Sequence, residues 1–94
     1  MDARAEFLAQ LHRTTERLRS MTAAQIERDD RVTQVRAMML EFIDETHPGL
    51  SLPVLQINAL GDQLFVLGRE CADRCADAKL EALASNLLEL RKNL

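Results

Sequence analysis

Mostly apolar side chains recur at alternating spacings of three and four residues from Phe7 to Phe42, and this repeat constrains the fold more than any other feature. Such spacing gives an α-helix one face that packs against a neighbour along its whole length. Because the phase does not slip across this span, we expect one continuous helix over residues 2–46, roughly 65 Å long at about 1.5 Å per residue. Asp2 is the expected N-cap, since a short acidic side chain accepts hydrogen bonds from the first turn.

An alternative is a break in this helix near Ser20–Thr22. Thr22 and Gln25 have the spacing of a capping box, in which each side chain accepts a hydrogen bond from the backbone N–H of the other residue. A break at this point predicts a monomeric bundle of three or four helices. The unbroken repeat favours the continuous helix.

A segment with two prolines, Pro48 and Pro53, ends the first helix. Proline keeps the residue before it out of the α conformation, and it is tolerated only in the first turn of the next helix. We therefore predict a loop over residues 47–51 and a second helix over residues 52–92. The apolar stripe of this second helix changes face near residue 77, which predicts a kink there.

The two helices are predicted to pack as an antiparallel hairpin. In that register Phe42 faces Ile57 and Leu11 faces Leu88, so that apolar residues meet along almost the whole seam. The predicted hairpin core is Phe7, Leu11, Leu18, Val32, Val35, Met39, Phe42, Ile57, Leu60, Leu64 and Leu67. The predicted fold class is all-α, with a single helical domain over residues 1–94, and two hairpins are expected to dimerise into a four-helix bundle.

The segment Val54–Gly68 carries more apolar side chains than one helix seam buries. A helix that packs against one neighbour needs a single apolar stripe, about 100° wide. Surplus apolar surface is typical of interfaces, and a symmetric homodimer is the commonest way to cover it. Six residues outside the hairpin seam are therefore predicted to form a dimer or partner interface: Met38, Leu40, Ile43, Leu55, Phe65 and Val66.

The charge of the chain argues against a nucleic-acid partner. The sequence has 15 acidic and 12 basic residues, a net charge of −3, and no Trp or Tyr for stacking on bases. Acidic residues interleave with the arginines of the first helix, which is typical of a solvated, ion-paired face. An alternative interpretation is a nucleic-acid-binding transcriptional regulator that uses Arg13, Arg17, Arg28 and Arg31 and requires the break near Ser20–Thr22.

The sequence predicts a cytoplasmic protein without membrane contact. Charged residues interrupt the first twenty positions, so no signal peptide is expected. No uncharged run is long enough to span a bilayer. The abundance of Leu, Ala and Arg fits a GC-rich genome and indicates a bacterial source.

No residue pattern predicts catalysis, so an enzyme is not expected. The sequence lacks a glycine-rich phosphate loop, a Ser/His/Asp set and metal-spaced histidines, and neither a cofactor nor a metal is predicted. Cys71 and Cys75 lie one helical turn apart and are most simply small packing residues. A thiol-based sensor that uses this pair is the second alternative.

These expectations favour a non-enzymatic regulatory or adaptor protein that acts by protein–protein interaction through an apolar helix face. Both homodimerisation and a protein partner, such as a transcription factor or another regulatory protein, are expected. Antiactivators, anti-sigma-like proteins and small chaperones occur in this size range, and the comparison with them is an analogy of size and fold class only.

Overall fold

The computed structural model describes residues 2–94, which form five α-helices and one short 3₁₀ helix. The α-helices are α1 (Ala3–Arg19), α2 (Ala23–Ile26), α3 (Arg31–Thr46), α4 (Leu60–Arg74) and α5 (Asp77–Lys92), and the 3₁₀ helix spans Ile57–Ala59. No residue from 2 to 94 lies in a β-strand. The all-α fold class predicted from the sequence is confirmed.

The first predicted helix is divided into three. Its start is as expected, because the Asp2 carboxylate accepts a hydrogen bond from the Ala5 N–H at 2.7 Å. The capping box forms at the start of α2, where the Thr22 hydroxyl accepts from the Gln25 N–H at 3.2 Å and Gln25 Oε1 accepts from the Thr22 N–H at 2.9 Å. The continuous helix over residues 2–46 is therefore wrong, and the alternative break is the one that forms.

A second interruption, between α2 and α3, contains two residues in the left-handed conformation. Asp29 has a φ of 56° and Asp30 a φ of 60°, a region that Asp enters more readily than most residues and that ends a right-handed helix. α1 and α3 nevertheless bury their apolar faces in the same core. The rings of Phe7 and Phe42, for example, pack edge to face with centroids 5.8 Å apart.

The connection between α3 and α4 runs over residues 47–59, whereas the sequence predicts a loop over 47–51. Pro53 has no N–H to donate to a helical hydrogen bond, and it disfavours the α conformation of the residue before it. The backbone of Gln56 is still extended, with φ −64° and ψ 152°. The second helix therefore starts at Leu60, and the predicted start at residue 52 is wrong.

The kink predicted near residue 77 is a complete break between α4 and α5. The backbone is extended at Cys75, with ψ 150°, and at Ala76, with ψ 157°. This break separates the second predicted helix into two shorter helices. It leaves α5 free to take a different direction from α4 and to pack against α1.

α1 contacts both α4 and α5 more extensively than they contact each other, and it runs antiparallel to α4. Arg4, near the start of α1, forms an ion pair with Asp73 near the end of α4 at 2.8 Å. Arg19, the last residue of α1, pairs with Asp62 in the first turn of α4 at 2.7 Å. The two pairs mark opposite ends of the α1–α4 contact.

α5 runs parallel to α1 and antiparallel to α3. Near the ends of α1 and α5, Arg17 Nη2 donates a hydrogen bond to the Leu94 carbonyl at 2.7 Å. Lys79, near the start of α5, pairs with Glu45 near the end of α3 at 2.9 Å. The four longer helices therefore pack together within one chain.

The predicted hairpin register is wrong. Leu11 packs against Gly68 instead of its predicted neighbour, and the Phe42 carbonyl accepts a hydrogen bond from Cys71 Sγ at 3.4 Å. The long connection between α3 and α4 and the break after α4 together change every pairing. Neither feature alters the periodicity from which the register was predicted.

The residues of the predicted hairpin core nevertheless lie in or against the core. Those that are buried are Phe7, Leu11, Leu18, Val35, Met39, Phe42, Leu60 and Leu64, and those that are half-buried against them are Val32, Ile57 and Leu67. α5 adds the buried residues Leu80, Leu83, Leu87 and Leu90. Periodicity therefore identifies which residues are inside, although it assigns them to the wrong neighbours.

Candidate protein-binding groove

The loop between α3 and α4 lies beside α4, and together they form an apolar groove of about 440 Å³. Most of the residues that line it are apolar: Ile43, Leu50, Leu52, Pro53, Leu55, Ala59, Val66 and Leu67. The remaining lining residues are Ser51, Asp62 and Gln63. A hollow of this volume and composition is typical of a binding site.

Exposed apolar side chains concentrate at this groove. Leu50, Leu55 and Val66 line it and are exposed, and Val66 keeps 63% of its surface accessible. Val54, between two lining residues of the loop, is 83% exposed. Single exposed apolar residues are ordinary, whereas a cluster beside a hollow marks an interaction surface.

Two side-chain hydrogen bonds tether the loop to α4. Gln63 Nε2 donates to the Pro53 carbonyl at 3.1 Å, and His47 Nε2 lies 2.9 Å from Glu70 Oε1 where the loop begins. The groove therefore exists before a ligand arrives, which lowers the entropy cost of binding. Gln63 Oε1 is buried at the groove without a hydrogen-bond partner in residues 2–94.

Asp62 is the one charged residue among those that line the groove, and its charge is compensated. Arg19 donates to Asp62 Oδ1 from Nε at 3.1 Å and from Nη2 at 2.7 Å, and these hydrogen bonds, followed by one to Glu16, raise the pKa of Arg19. The same guanidinium lies 5.9 Å from the centroid of the Phe65 ring. The groove is therefore apolar and without uncompensated charge.

Leu55 and Val66 are the two exposed residues of the predicted interface that line the groove. Leu40 is also exposed, but it lies on α3 outside the lining. Phe65 is half-buried, packed against the core and beneath Arg19. The structure thus brings Leu55 and Val66 of the predicted interface together at the groove and places Leu40 elsewhere.

Two residues assigned to the interface, Met38 and Ile43, are buried within the chain, and Met38 also lies outside the groove lining. Met38 is 5% exposed and Ile43 is 2% exposed. α3 packs against both α4 and α5 of its own chain, and its buried face is correspondingly wider than a single hairpin seam requires. Ile43 still reaches the groove as part of its lining.

The sequence prediction omits Leu50, Leu52, Pro53 and Val54 from the interface. Three of these residues line the groove, and Val54 lies beside it. Because the prediction assigns Leu52 and the residues after it to a helix, it does not place these four residues together at one surface. A useful signal was present, because an uncharged, leucine-rich run between two prolines is unusual for a solvent-exposed loop.

Cys71 and Cys75 are both free, and Cys71 is buried. Its Sγ donates to the Phe42 carbonyl at 3.4 Å. Burial, reinforced by the neighbouring Cys75, raises the pKa of the Cys71 thiol from its ordinary value of 9.0 to about 12. Reactive cysteines need an accessible thiolate at neutral pH, so the geometry favours packing over thiol sensing for Cys71.

Two of the four arginines of the nucleic-acid alternative, Arg17 and Arg31, are held by hydrogen bonds within the chain. Arg17 donates to the Leu94 carbonyl at 2.7 Å, and Arg31 donates to the carbonyls of Asn93 at 3.2 Å and Gln25 at 2.6 Å. Their guanidinium groups bind the backbone of the same chain. A phosphate-binding surface needs such groups directed together toward solvent.

The described part of the chain shows neither a metal-binding cluster nor a membrane-spanning helix. Within residues 2–94, no group of three or more His, Cys, Asp or Glu side chains is arranged to hold a metal ion. Over the same residues, no helix has both the length and the apolar character needed to cross a membrane. Comparison with models of protein families, with curated proteins and with solved structures gives no match.

Proposed function

We propose that this chain is a non-enzymatic regulatory or adaptor protein that binds another protein through the groove between α4 and the loop over residues 47–59. The observation that carries the proposal is the clustering of exposed apolar side chains at one preformed hollow. Leu50, Val54, Leu55 and Val66 belong to that cluster. Covering such side chains contributes about 25 cal/mol for each Å² of apolar surface removed from water.

The occupant that fits the groove is an amphipathic helix of the partner protein. A helix presents apolar side chains at positions i, i+3 or i+4 and i+7, and these can occupy an apolar hollow without extended backbone pairing. The compensated Asp62–Arg19 pair leaves no bare charge to be desolvated.

Sequestration of an apolar helix is the mode of action that we propose. An antiactivator or an anti-sigma-like protein acts in this way on a transcription factor, and a small chaperone does so on its client. The free thiols of Cys71 and Cys75 fit a reducing compartment such as a bacterial cytoplasm.

Site-specific photo-crosslinking tests the proposal. A photo-reactive amino acid is placed at Val66 in the groove and, as a matched control, at Ala82, an exposed position on α5 away from it. We expect a partner that is crosslinked from position 66 and not from position 82. The purified crosslinked segment should then bind the wild-type chain and bind the Val66→Glu variant at least about tenfold more weakly.

Two results would count against the proposal. Crosslinking of the same proteins from both positions would indicate non-specific contact. A crosslinked segment that lacks apolar helical anchors, or that binds Val66→Glu as tightly as the wild type, would place the interaction outside the groove.

A further inference from the structure

A second hollow, of about 260 Å³, lies between α1 and α5. Among the described residues, it shares no lining residue with the groove. Three of its lining residues are apolar: Ala3, Ala84 and Leu88. The other four carry side-chain oxygen atoms: Glu6, Gln10, Glu81 and Ser85. The hollow therefore combines apolar surface with several hydrogen-bond acceptors.

The two carboxylates of this hollow come from different helices. Glu6 lies in the first turn of α1, and Glu81 lies on α5. Within residues 2–94 neither forms an ion pair, and no Lys, Arg or His is among the residues that line the hollow. The lining is therefore acidic and carries no cation of its own.

A buried amide group lies beside one of these carboxylates. Gln10 is more than nine-tenths buried, with 7% of its surface exposed, and its Nε2 donates to Glu6 Oε1 at 2.8 Å. Because both residues line the hollow, this hydrogen bond places the amide group at its wall. Gln10 Oε1 has no hydrogen-bond partner in the described part of the chain. Since a buried polar atom without a partner is costly, a donor from a ligand would stabilise this group.

These observations favour an organic cation with N–H donors over a metal ion. Over residues 2–94, no three His, Cys, Asp or Glu side chains are arranged to hold a metal. A primary ammonium group has three N–H donors and a positive charge. Its head therefore suits the two carboxylates and the amide oxygen, and an attached alkyl chain suits Ala84 and Leu88.

We propose that the hollow between α1 and α5 binds a small aliphatic amine in its protonated form. The ammonium group pairs with Glu6 and Glu81 and donates a hydrogen bond to Gln10 Oε1. The alkyl chain covers the apolar part of the lining. This site is independent of the groove, so the proposed function and the amine site can fail separately.

An NMR titration of the full ¹⁵N-labelled chain with n-butylamine at neutral pH tests the proposal. We expect saturable shifts of backbone amides on both walls, in residues 3–10 and 81–88, with a dissociation constant of about 1 mM or below. Tetramethylammonium has the charge without N–H donors, and 1-butanol has the alkyl chain without the charge. Each should bind at least about tenfold more weakly than n-butylamine.

Three variants in the hollow and one control locate the binding. Glu6→Gln and Glu81→Gln should each weaken n-butylamine binding at least about fivefold, because each removes a charge-assisted hydrogen bond. Gln10→Met keeps the length of the side chain, removes the amide oxygen and should also weaken binding, while circular dichroism checks that the chain stays folded. The matched control is Glu27→Gln, which removes the same charge at an exposed residue outside the hollow and should leave the affinity unchanged.

Four results would overturn the proposal. Equal weakening by Glu27→Gln and Glu6→Gln would show general attraction to an acidic surface. Tetramethylammonium binding as tightly as n-butylamine would remove the role of the N–H donors. Tighter binding of Ca²⁺ at the same residues would make this a metal site, and tighter binding of Nα-acetyl-lysine methylamide would assign it to a lysine of another protein instead of a free amine.

Discussion

Leu11 packs so closely on Gly68 that a Cβ atom at the glycine would lie 2.5 Å from Leu11 Cδ1 and 2.7 Å from Cδ2. Real Cβ contacts are longer, and Leu11 is completely buried, so its side chain has no space to withdraw. The glycine thus allows α1 and α4 to approach each other at the middle of the core. This close approach compensates for the low helix propensity of Gly68.

We therefore expect Gly68→Ala to lower the free energy of unfolding by about 1–2 kcal/mol. Overpacking costs about 1–3 kcal/mol, and the better helix propensity of Ala returns up to about 1 kcal/mol of that loss. Urea denaturation followed by circular dichroism measures the difference.

Gly61→Ala is the matched control on the same helix. Its Cβ would lie 3.3 Å from Arg19 Cγ, and the side chain of Arg19 is 43% exposed and able to move. The gain in helix propensity is then little opposed, so we expect Gly61→Ala to leave the free energy of unfolding unchanged or to raise it by up to about 1 kcal/mol. Equal destabilisation by both substitutions would show that the contact with Leu11 is not the cause.

The sequence predicts the helical class and the core because burial depends on periodicity, which is a local property. Phe7 and Phe42 are predicted and found in the core. The register of the helices depends on where the chain breaks. The capping box at Thr22 is visible as an alternative, but the paired left-handed residues Asp29 and Asp30 have no distinctive sequence signal.

The groove could be predicted only in part for the same reason. Val66 and Leu55 stand out as surplus apolar residues on a predicted helix. Leu50 and Val54 reach the same surface only because the α3–α4 connection continues to Ala59 and lies along α4. That path is set by tertiary contacts, including the hydrogen bond from Gln63 to Pro53, which no periodic pattern encodes.

Two adjacent residues, Phe65 and Val66, should respond differently to truncation. Phe65 is half-buried against the core and beneath Arg19, so Phe65→Ala should lower the free energy of unfolding by about 1–2 kcal/mol. Val66 is 63% exposed, and Val66→Ala should change the free energy of unfolding by less than about 0.5 kcal/mol. Thermal and urea unfolding of both variants measure the contrast. The reverse order of stability would contradict the placement of the two side chains.

The buried thiol of Cys71 should make stability depend on alkaline pH. Its pKa is about 12 in the folded chain against 9.0 as its ordinary value, so above pH 9 the unfolded state loses this proton first. The thiol therefore stabilises the fold fully below pH 9, and this contribution falls as the pH rises from 9 toward 12. Between pH 8 and about 10.5 the wild type should lose about 1–2 kcal/mol more than Cys71→Ala.

Urea unfolding at several pH values measures this difference. Val35→Ala is the control, because it also truncates a fully buried core residue and retains the thiol. It should keep the pH dependence of the wild type although it is less stable at every pH. Parallel profiles for the wild type and Cys71→Ala would contradict the raised pKa.

The hydrogen bond from Gln63 Nε2 to the Pro53 carbonyl should restrain the loop wall of the groove. We expect Gln63→Ala to increase the picosecond-to-nanosecond motion of Val54 and Leu55, because His47 and Glu70 still hold the start of the loop but its middle is released. The ¹⁵N relaxation order parameters of those two residues should fall from about 0.85 toward 0.6. Gln56→Ala, at an exposed residue whose side chain makes no hydrogen bond within residues 2–94, should leave them unchanged. Unchanged order parameters in Gln63→Ala would mean that apolar contacts of the loop, and not this hydrogen bond, hold the wall in place.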